Sequence, residues 1–393
     1  MSKSHKYIIA LDITTTSPMH ITAIEGGSYD VKSQRVSRYK TASGIGCSLT
    51  RTMGLAHCAT ERKTDEDGES KGIYTPLVPV IPSSTISGKL RRAASDLLCN
   101  SLISRSLKIS TSAYNVLSTG MATTALDTNK KNAQVLVMAR KDAFLSLFGG
   151  TSFGLSAHSV IDTGLPLVAM TEGQLMTPPI IDKQPLTSLR EMTETIAIIK
   201  KDDVMDMHRS SLEGVVGYER VSDYIAAKTT EATDKKKTKE EDAGKKTDLR
   251  TFNAFEAVKA GVSFGLRIEV TSFEPSHLGL MLLSVQEMLR AGQFGGKGAK
   301  GFGRFALGAS RLYEVDPTTR KQSLLCELFR GKDTGYEFVI GENEDDVVGQ
   351  AVLAAEDYID NVSPVLIEAF AEADVKALRL AYKDAVADVA EEA

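Results

Sequence analysis

The chain is poor in the side chains that most often announce chemistry. It has four cysteines, Cys47, Cys58, Cys99 and Cys326, in 393 residues. Their spacing matches neither a disulfide framework nor a zinc ribbon, which fits a reducing, cytoplasmic setting. Cys47 with His57 and Cys58 offers three ligands for a metal, but no fourth lies nearby in sequence, so no metal or cofactor is expected. The six histidines are scattered, and no Ser-His-Asp or Cys-His spacing stands out. His20, near a strand end, reads as structural or ligand-adjacent rather than as a general base. No apolar run approaches the ~18–20 residues that span a bilayer. The polar start, Met1 to Lys6, leads into a strand, so no signal peptide is expected and no membrane partner is implied.

What is present is a glycine-rich, cationic loop, Gly295-Gly296-Lys297-Gly298-Ala299-Lys300-Gly301-Phe302-Gly303-Arg304. Glycines remove side chains and let another backbone approach. Two lysines and an arginine place positive charge at the same spot. The pattern before the loop, His277 to Ala291, is helical, and Phe302 to Tyr313 after it is strand-like. A Walker loop runs strand, loop, helix and ends in Lys-Ser/Thr. Here the order is reversed and Gly298 follows Lys297. No helix opens at the last glycine, which removes the Rossmann fingerprint. A polymeric anion such as a nucleic-acid backbone remains the better ligand for the loop.

Net charge is −4, but it is unevenly distributed. Gly341 to Ala393 holds 14 acidic and 3 basic residues, a net of −11, leaving 37 acidic and 44 basic residues, a net of +7, in the rest. Local patches rather than totals govern phosphate binding.

Tyr7 to Thr16 alternates as a strand, and Met19 to Thr22 resumes an extended stretch after Pro18. Glu25 to Lys71 is a long polar segment with several cations, Arg35 and Arg38 among them. Pro76 to Pro82 is an extended entry to a helix that Ser83, Ser84 and Thr85 cap and that runs to about Ser104. Its apolar stripe is Ile86, Leu90, Ala93 or Ala94, Leu97 and Leu98. Lys89, Arg91 and Arg92 sit in its first turns, where cations oppose the helix dipole, so a bound anion would account for them. Ala139 to Phe148 reads as a short helix. Short β-like pieces broken by prolines fill Leu165 to Lys200. Lys228 to Arg250 is almost wholly polar and reads as a flexible surface loop, dispensable for folding. Val262 to Ser272 is a strand. Helices are expected at Val352 to Ile359 and Pro364 to Val389, the second opened by Pro364.

Three segments in this order resemble the RAMP superfamily of CRISPR-associated proteins: Ile13 to Thr22 with its Pro-Met-His-Ile ending, Pro79 to Arg92, and the loop Phe294 to Phe305. Leu147-Phe148-Gly149 resembles a further short motif of that family. Val80-Ile81 departs from it, since many members carry glycine there. The resemblance is greatest to the backbone subunit that polymerises along guide RNA, most like type IV, with type III and type I-D as alternatives.

The resemblance implies an α+β fold. A ferredoxin-like, RRM-like palm would span residues 1–340, with a finger insertion at about 25–75 and a thumb-and-loop insertion at about 160–250. An acidic helical extension would follow at 341–393. It further implies a non-enzymatic CRISPR effector subunit that binds the spacer part of the guide RNA, with target DNA or RNA recognised by base pairing. Its partners would be other copies, head to tail, and other effector subunits. The alternative is an RNA endonuclease of the same fold, cutting target RNA or processing guides; Asp30, Asp65 and Asp67 lie in the insertion where type III backbones carry their cutting aspartate. The expected RNA-binding residues are Met19, His20, Arg35, Arg38, Ser83, Ser84, Lys89, Arg91, Arg92, Gly295, Gly296, Lys297, Gly298, Lys300, Gly301 and Arg304.

Overall fold

The computed structural model describes residues 4–22, 49–50, 54–56, 77–120, 140–150, 155–167, 192–200, 251–332, 335–340, 346–372, 374 and 376–380. The chain forms two compact units. One contains Met1–Ile21, Met53–Met192 and Lys259–Ala393; the other contains Thr22–Thr52 and Thr193–Val258. The elements run β1 (His5–Thr15), β2 (Leu49–Thr50), β3 (Gly54–Ala56), β4 (Leu77–Pro79), α1 (Ser83–Ser104), α2 (Thr111–Thr119), α3 (Ala143–Phe148), β5 (Ser159–Ile161), β6 (Leu165–Pro166), β7 (Thr193–Lys200), β8 (Thr251–Val258), β9 (Ser263–Ser272), α4 (Pro275–Ala291), β10 (Phe305–Val315), β11 (Gln322–Glu327), β12 (Phe329–Lys332), β13 (Gly335–Phe338), α5 (Val347–Asp360) and α6 (Pro364–Ala371).

The first unit is organised by β1, a β-branched and apolar run flanked on both sides. It pairs antiparallel with β10, Leu11 opposite Ser310, and with β9, Leu11 opposite Leu266. The sheet order is β11-β10-β1-β9-β5, with β6 also on β9. Taken along the chain, β1-α1-β5-β9-α4-β10 is a β-α-β-β-α-β unit. Within the sheet these strands stand fourth, first, third, second, which is the ferredoxin-like arrangement, and the expected α+β class is what the chain adopts. Ile9, Leu11 and Ile13 are fully buried. They share one face of β1, as the two-residue period requires.

Against the sheet lie α1 and α4. Ile86, Leu90, Ala94, Leu98 and Leu102 recur at four-residue spacing and form the buried stripe of α1. In α4 every residue from His277 to Val285 is buried, because α5 covers the side the sheet does not. The α4–α5 crossing is close: a Cβ on Gly279 would lie 1.8 Å from the Ala351 carbonyl oxygen. The C-terminal helices therefore pack onto the palm. Ser101 Oγ donates to Ile359 O at 2.8 Å and Arg105 Nη2 to Val362 O at 3.0 Å. Tyr358 donates its hydroxyl to the buried Asp142 carboxylate at 3.0 Å.

Several boundaries differ from the sequence reading. α3 begins at Ala143 rather than Ala139, because the Asp142 carboxylate caps it by accepting from Leu145 N at 2.8 Å. Ser83, Ser84 and Thr85 lie within α1 rather than capping it. Pro82 holds the N-cap position, with no side-chain cap, and its carbonyl accepts from Thr85 N and Ile86 N. The short helix α2 and the strands β11 to β13 carry no sequence expectation.

The second unit contains a three-stranded sheet, β2-β8-β7, with β2 parallel to β8 and β7 antiparallel to it, Thr193 opposite Val258. Arg35 and Arg38, the aspartates Asp30, Asp65 and Asp67, the trio Cys47, His57 and Cys58, and Lys228 to Arg250 all lie outside the described residues. Among the described residues no helix is long and apolar enough to cross a membrane, and no cluster of three potential metal ligands occurs.

Candidate nucleic-acid interface

The glycine-rich loop leaves α4 through Gly292, in the left-handed region at φ 55°, and returns as β10. Its base is pinned to the segment that follows β1. Gly303 N donates to Pro18 O at 2.8 Å, Gly296 N to His20 O at 2.9 Å, Thr16 N to Arg304 O at 2.8 Å and Arg304 N to Ser17 Oγ at 2.8 Å. Phe294 N donates to Gly303 O at 2.9 Å, which closes the loop on itself. Phe294 is fully buried and stacks on Phe305 with ring centroids 4.8 Å apart. The Gln293 amide crosses underneath and donates to Phe302 O at 2.6 Å.

The five glycines divide by role. Gly295 and Gly303 have φ of 78° and 79°, and a Cβ on them would lie 2.3 Å from His20 O and 1.8 Å from Phe294 O. They let the loop approach its own chain. A Cβ on Gly298 would meet the Gln293 amide at 2.3 Å. Gly296 and Gly301 have no atom within 4 Å of a Cβ position and face open space, where an external backbone could come close. A single 3₁₀ turn, Gly298–Lys300, forms the tip, entered through Lys297 at φ 64° and left through Gly301 at φ 80°. Lys300 and Arg304 are exposed there, and Lys297 is half-buried.

The second part of the candidate interface is α1. Lys89, Arg92, Asp96 and Asn100 recur at helical spacing and line one wall of a groove of about 460 Å³; Glu287, Met288, Arg290 and Ala291 of α4 line the other. Ala291 is the last residue of α4 before the chain turns into the glycine loop, so groove and loop adjoin along the sequence. Glu287 pairs with Arg290. Among the described residues no carboxylate pairs with Lys89 or Arg92. Burial, and then the neighbouring Arg92 charge, push the Lys89 ammonium below its ordinary value. A half-buried lysine beside a like charge is a site that an anion would complete. The first turn of α1 holds no acidic residue and no capping side chain, so its amide dipoles point the same way.

Three residues expected at the RNA surface are buried in this fold. Arg91 is buried, 8% exposed, and points away from the surface. Its Nε donates to Leu117 O at 2.8 Å, Nη1 to Phe148 O at 2.9 Å and Nη2 to Val116 O at 2.9 Å, and burial lowers its pKa to about 10. Met19 is 1% exposed, a core residue, and the His20 side chain is 3% exposed. His20 serves the loop through its carbonyl rather than by presenting an imidazole. Ser83 and Ser84 start α1, half-buried and exposed respectively. Asp96, Asn100, Glu287 and Arg290 were absent from the sequence expectation. The spacing of 89, 92, 96 and 100 along α1 was the available signal.

A β-α-β-β-α-β palm with a cationic glycine loop between its second helix and fourth strand defines a ferredoxin-like fold. The chain belongs to the RAMP superfamily, whose family model matches residues 12–306. Among solved structures it is similar to a chain of a "Type IV-B CRISPR Complex", at 14% identity and a TM-score of 0.40, covering 84% of this chain and 96% of that one. No curated protein matches it.

Proposed function

We propose that the protein is a CRISPR effector backbone subunit, most like type IV, that holds guide RNA by its phosphates and acts in the cytoplasm without cutting RNA itself. The observation that carries the reading is the union of two cationic surfaces in one palm: the loop tip with Lys297, Lys300 and Arg304, and the α1 face with Lys89 and Arg92. Membership of the RAMP superfamily supports it. Contacts of this kind position a backbone and carry no sequence information. The spacer would then be read by base pairing with target DNA or RNA. Copies would associate head to tail, and other effector subunits would complete the complex.

The experiment is to purify the protein, sequence the nucleic acid that accompanies it, and measure binding of single-stranded RNAs across a salt series. Four to six neutralised phosphates give a slope of log K against log salt of roughly −3 to −4. Lys297→Ala with Lys300→Ala is expected to weaken all sequences alike. A flat salt response, or a loss confined to one sequence, refutes the reading.

A further inference from the structure

We infer that Arg91 is a positioning residue for the RNA-contacting face of α1: by gripping the carboxyl-terminal carbonyls of two other helices, it fixes the rotation that turns Lys89 and Arg92 outward. The inference rests on the RNA reading above.

The guanidinium reaches four carbonyls. Two close α2, Val116 O at 2.9 Å and Leu117 O at 2.8 Å; two close α3, Phe148 O at 2.9 Å and Gly149 O at 3.4 Å. Its Cζ also lies 5.2 Å from the Phe144 ring centroid. Both helices thus present the negative ends of their dipoles to one buried cation. No carboxylate pairs with Arg91 among the described residues. A buried charge without a counter-ion is costly, and an apolar residue of like volume commonly serves stability as well or better. What such a residue would lack is direction. A fork of five donors meets four fixed acceptors in only one orientation.

Apolar packing along Ile86, Leu90, Ala94, Leu98 and Leu102 holds α1 against the palm but is not directional. Arg91, beside the small residues Ala93, Ala94 and Ser95, adds the directional constraint. At about 100° per residue, Lys89 lies about 160° and Arg92 about 100° from Arg91 around the helix axis, so Lys89 sits opposite the anchor, Arg92 to its side, and the two about 60° apart. Rotating or sliding α1 would carry both out of the groove together. The acceptors are themselves tightly held. Gly120, which ends α2, would bring a Cβ to 3.0 Å from Arg91 Nη1, and Gly149 would bring one to 2.5 Å from Leu155 O.

The test compares salt slopes for one single-stranded homopolymer RNA. Lys89→Ala with Arg92→Ala is expected to reduce the slope by about 1.4, two phosphates at about 0.7 each. Arg91→Lys conserves charge, leaves the surface untouched and is expected to reduce the slope by a similar amount. Combining it with the Lys89 and Arg92 substitutions should remove nothing further, whereas combining it with Lys300→Ala should add that residue's full loss. Gly120→Ala, which crowds the guanidinium from the other side, is expected to act in the same direction. A role in stability alone lowers the melting temperature but leaves the slope of the folded protein unchanged. A folded Arg91→Lys with the wild-type slope, full additivity with Lys89 and Arg92, or loss of folding in both the Arg91 and Gly120 variants overturns the inference. Failure of the wild-type protein to bind RNA overturns the RNA reading instead.

Discussion

Gly303→Ala isolates the difference between a glycine that serves the fold and one that serves a ligand. Gly303 sits at φ 79°, and its Cβ would lie 1.8 Å from Phe294 O. Holding a non-glycine residue in the left-handed region costs about 1–3 kcal/mol. Relieving the overlap separates Phe294 from Gly303 and Gly303 from Pro18, two hydrogen bonds worth about 1 kcal/mol each. The sum is roughly 3–5 kcal/mol, which for a unit of this size lowers Tm by roughly 10 °C. Gly296→Ala is the matched control. Nothing lies within 4 Å of its Cβ position and its φ is outside the left-handed region, so stability is expected to stay within about 0.5 kcal/mol. RNA affinity should behave the opposite way, with Gly296→Val losing binding while remaining folded. Thermal melts followed by circular dichroism, with RNA anisotropy on the same samples, read both quantities. A Gly303→Ala protein that melts with the wild type refutes the loop clamp. A folded Gly296→Val that binds RNA normally refutes the assignment of that position to the ligand.

Three further outcomes are expected. Burial raises the Asp142 carboxyl above its ordinary value against the opposing hydrogen bonds from Leu145 N and Tyr358. The folded state therefore holds that proton more tightly than the unfolded chain, and this contribution to stability is present below the ordinary aspartate pKa, ~3.9, and lost as pH rises through the folded value. Wild type minus Asp142→Asn in Tm should accordingly shrink from acid toward neutral pH; a difference constant with pH contradicts it. Gly279→Val drives side-chain atoms into the Ala351 carbonyl and should release α5, seen as rapid proteolysis of the C-terminal helices; wild-type resistance would count against the close crossing. Head-to-tail association propagates as an open assembly, so particle mass by light scattering should rise with RNA length, and a constant mass points to a closed oligomer.

Local signals were legible and long-range ones were not. The residues of β1, α1, β9, α4 and β10 announce themselves by periodicity, and their ends fall within a few residues of expectation. The Ser110 cap and the Gly120 terminus of α2 were also in plain view, since Ser110 Oγ accepts from Ala113 N and Gly120 has φ 79°. They flank a helix of only nine residues, too short a run for helical periodicity to stand out. β11 is exposed along most of its length and lacks the alternation that marks a half-buried strand. At the candidate interface the loop and the basic helix stand out in the sequence, but three cations so close together look alike. Arg91 is set apart by carbonyls 25 to 58 residues away, a convergence no local pattern records. The same holds for the glycines: Gly295 and Gly303 are set apart from Gly296 and Gly301 by their close approach to His20 O and Phe294 O.

The burial of α4 on both sides has a consequence for synthesis. Its nine consecutive buried residues, His277 to Val285, meet α5 on the side away from the sheet. A nascent chain that has emerged only as far as β13 has its palm strands in hand yet still shows water a helix apolar on two faces. That intermediate is the one prone to stick to its neighbours on a crowded polysome. Chains truncated before Val347 should therefore collect in the insoluble fraction even though they retain every strand of the main sheet.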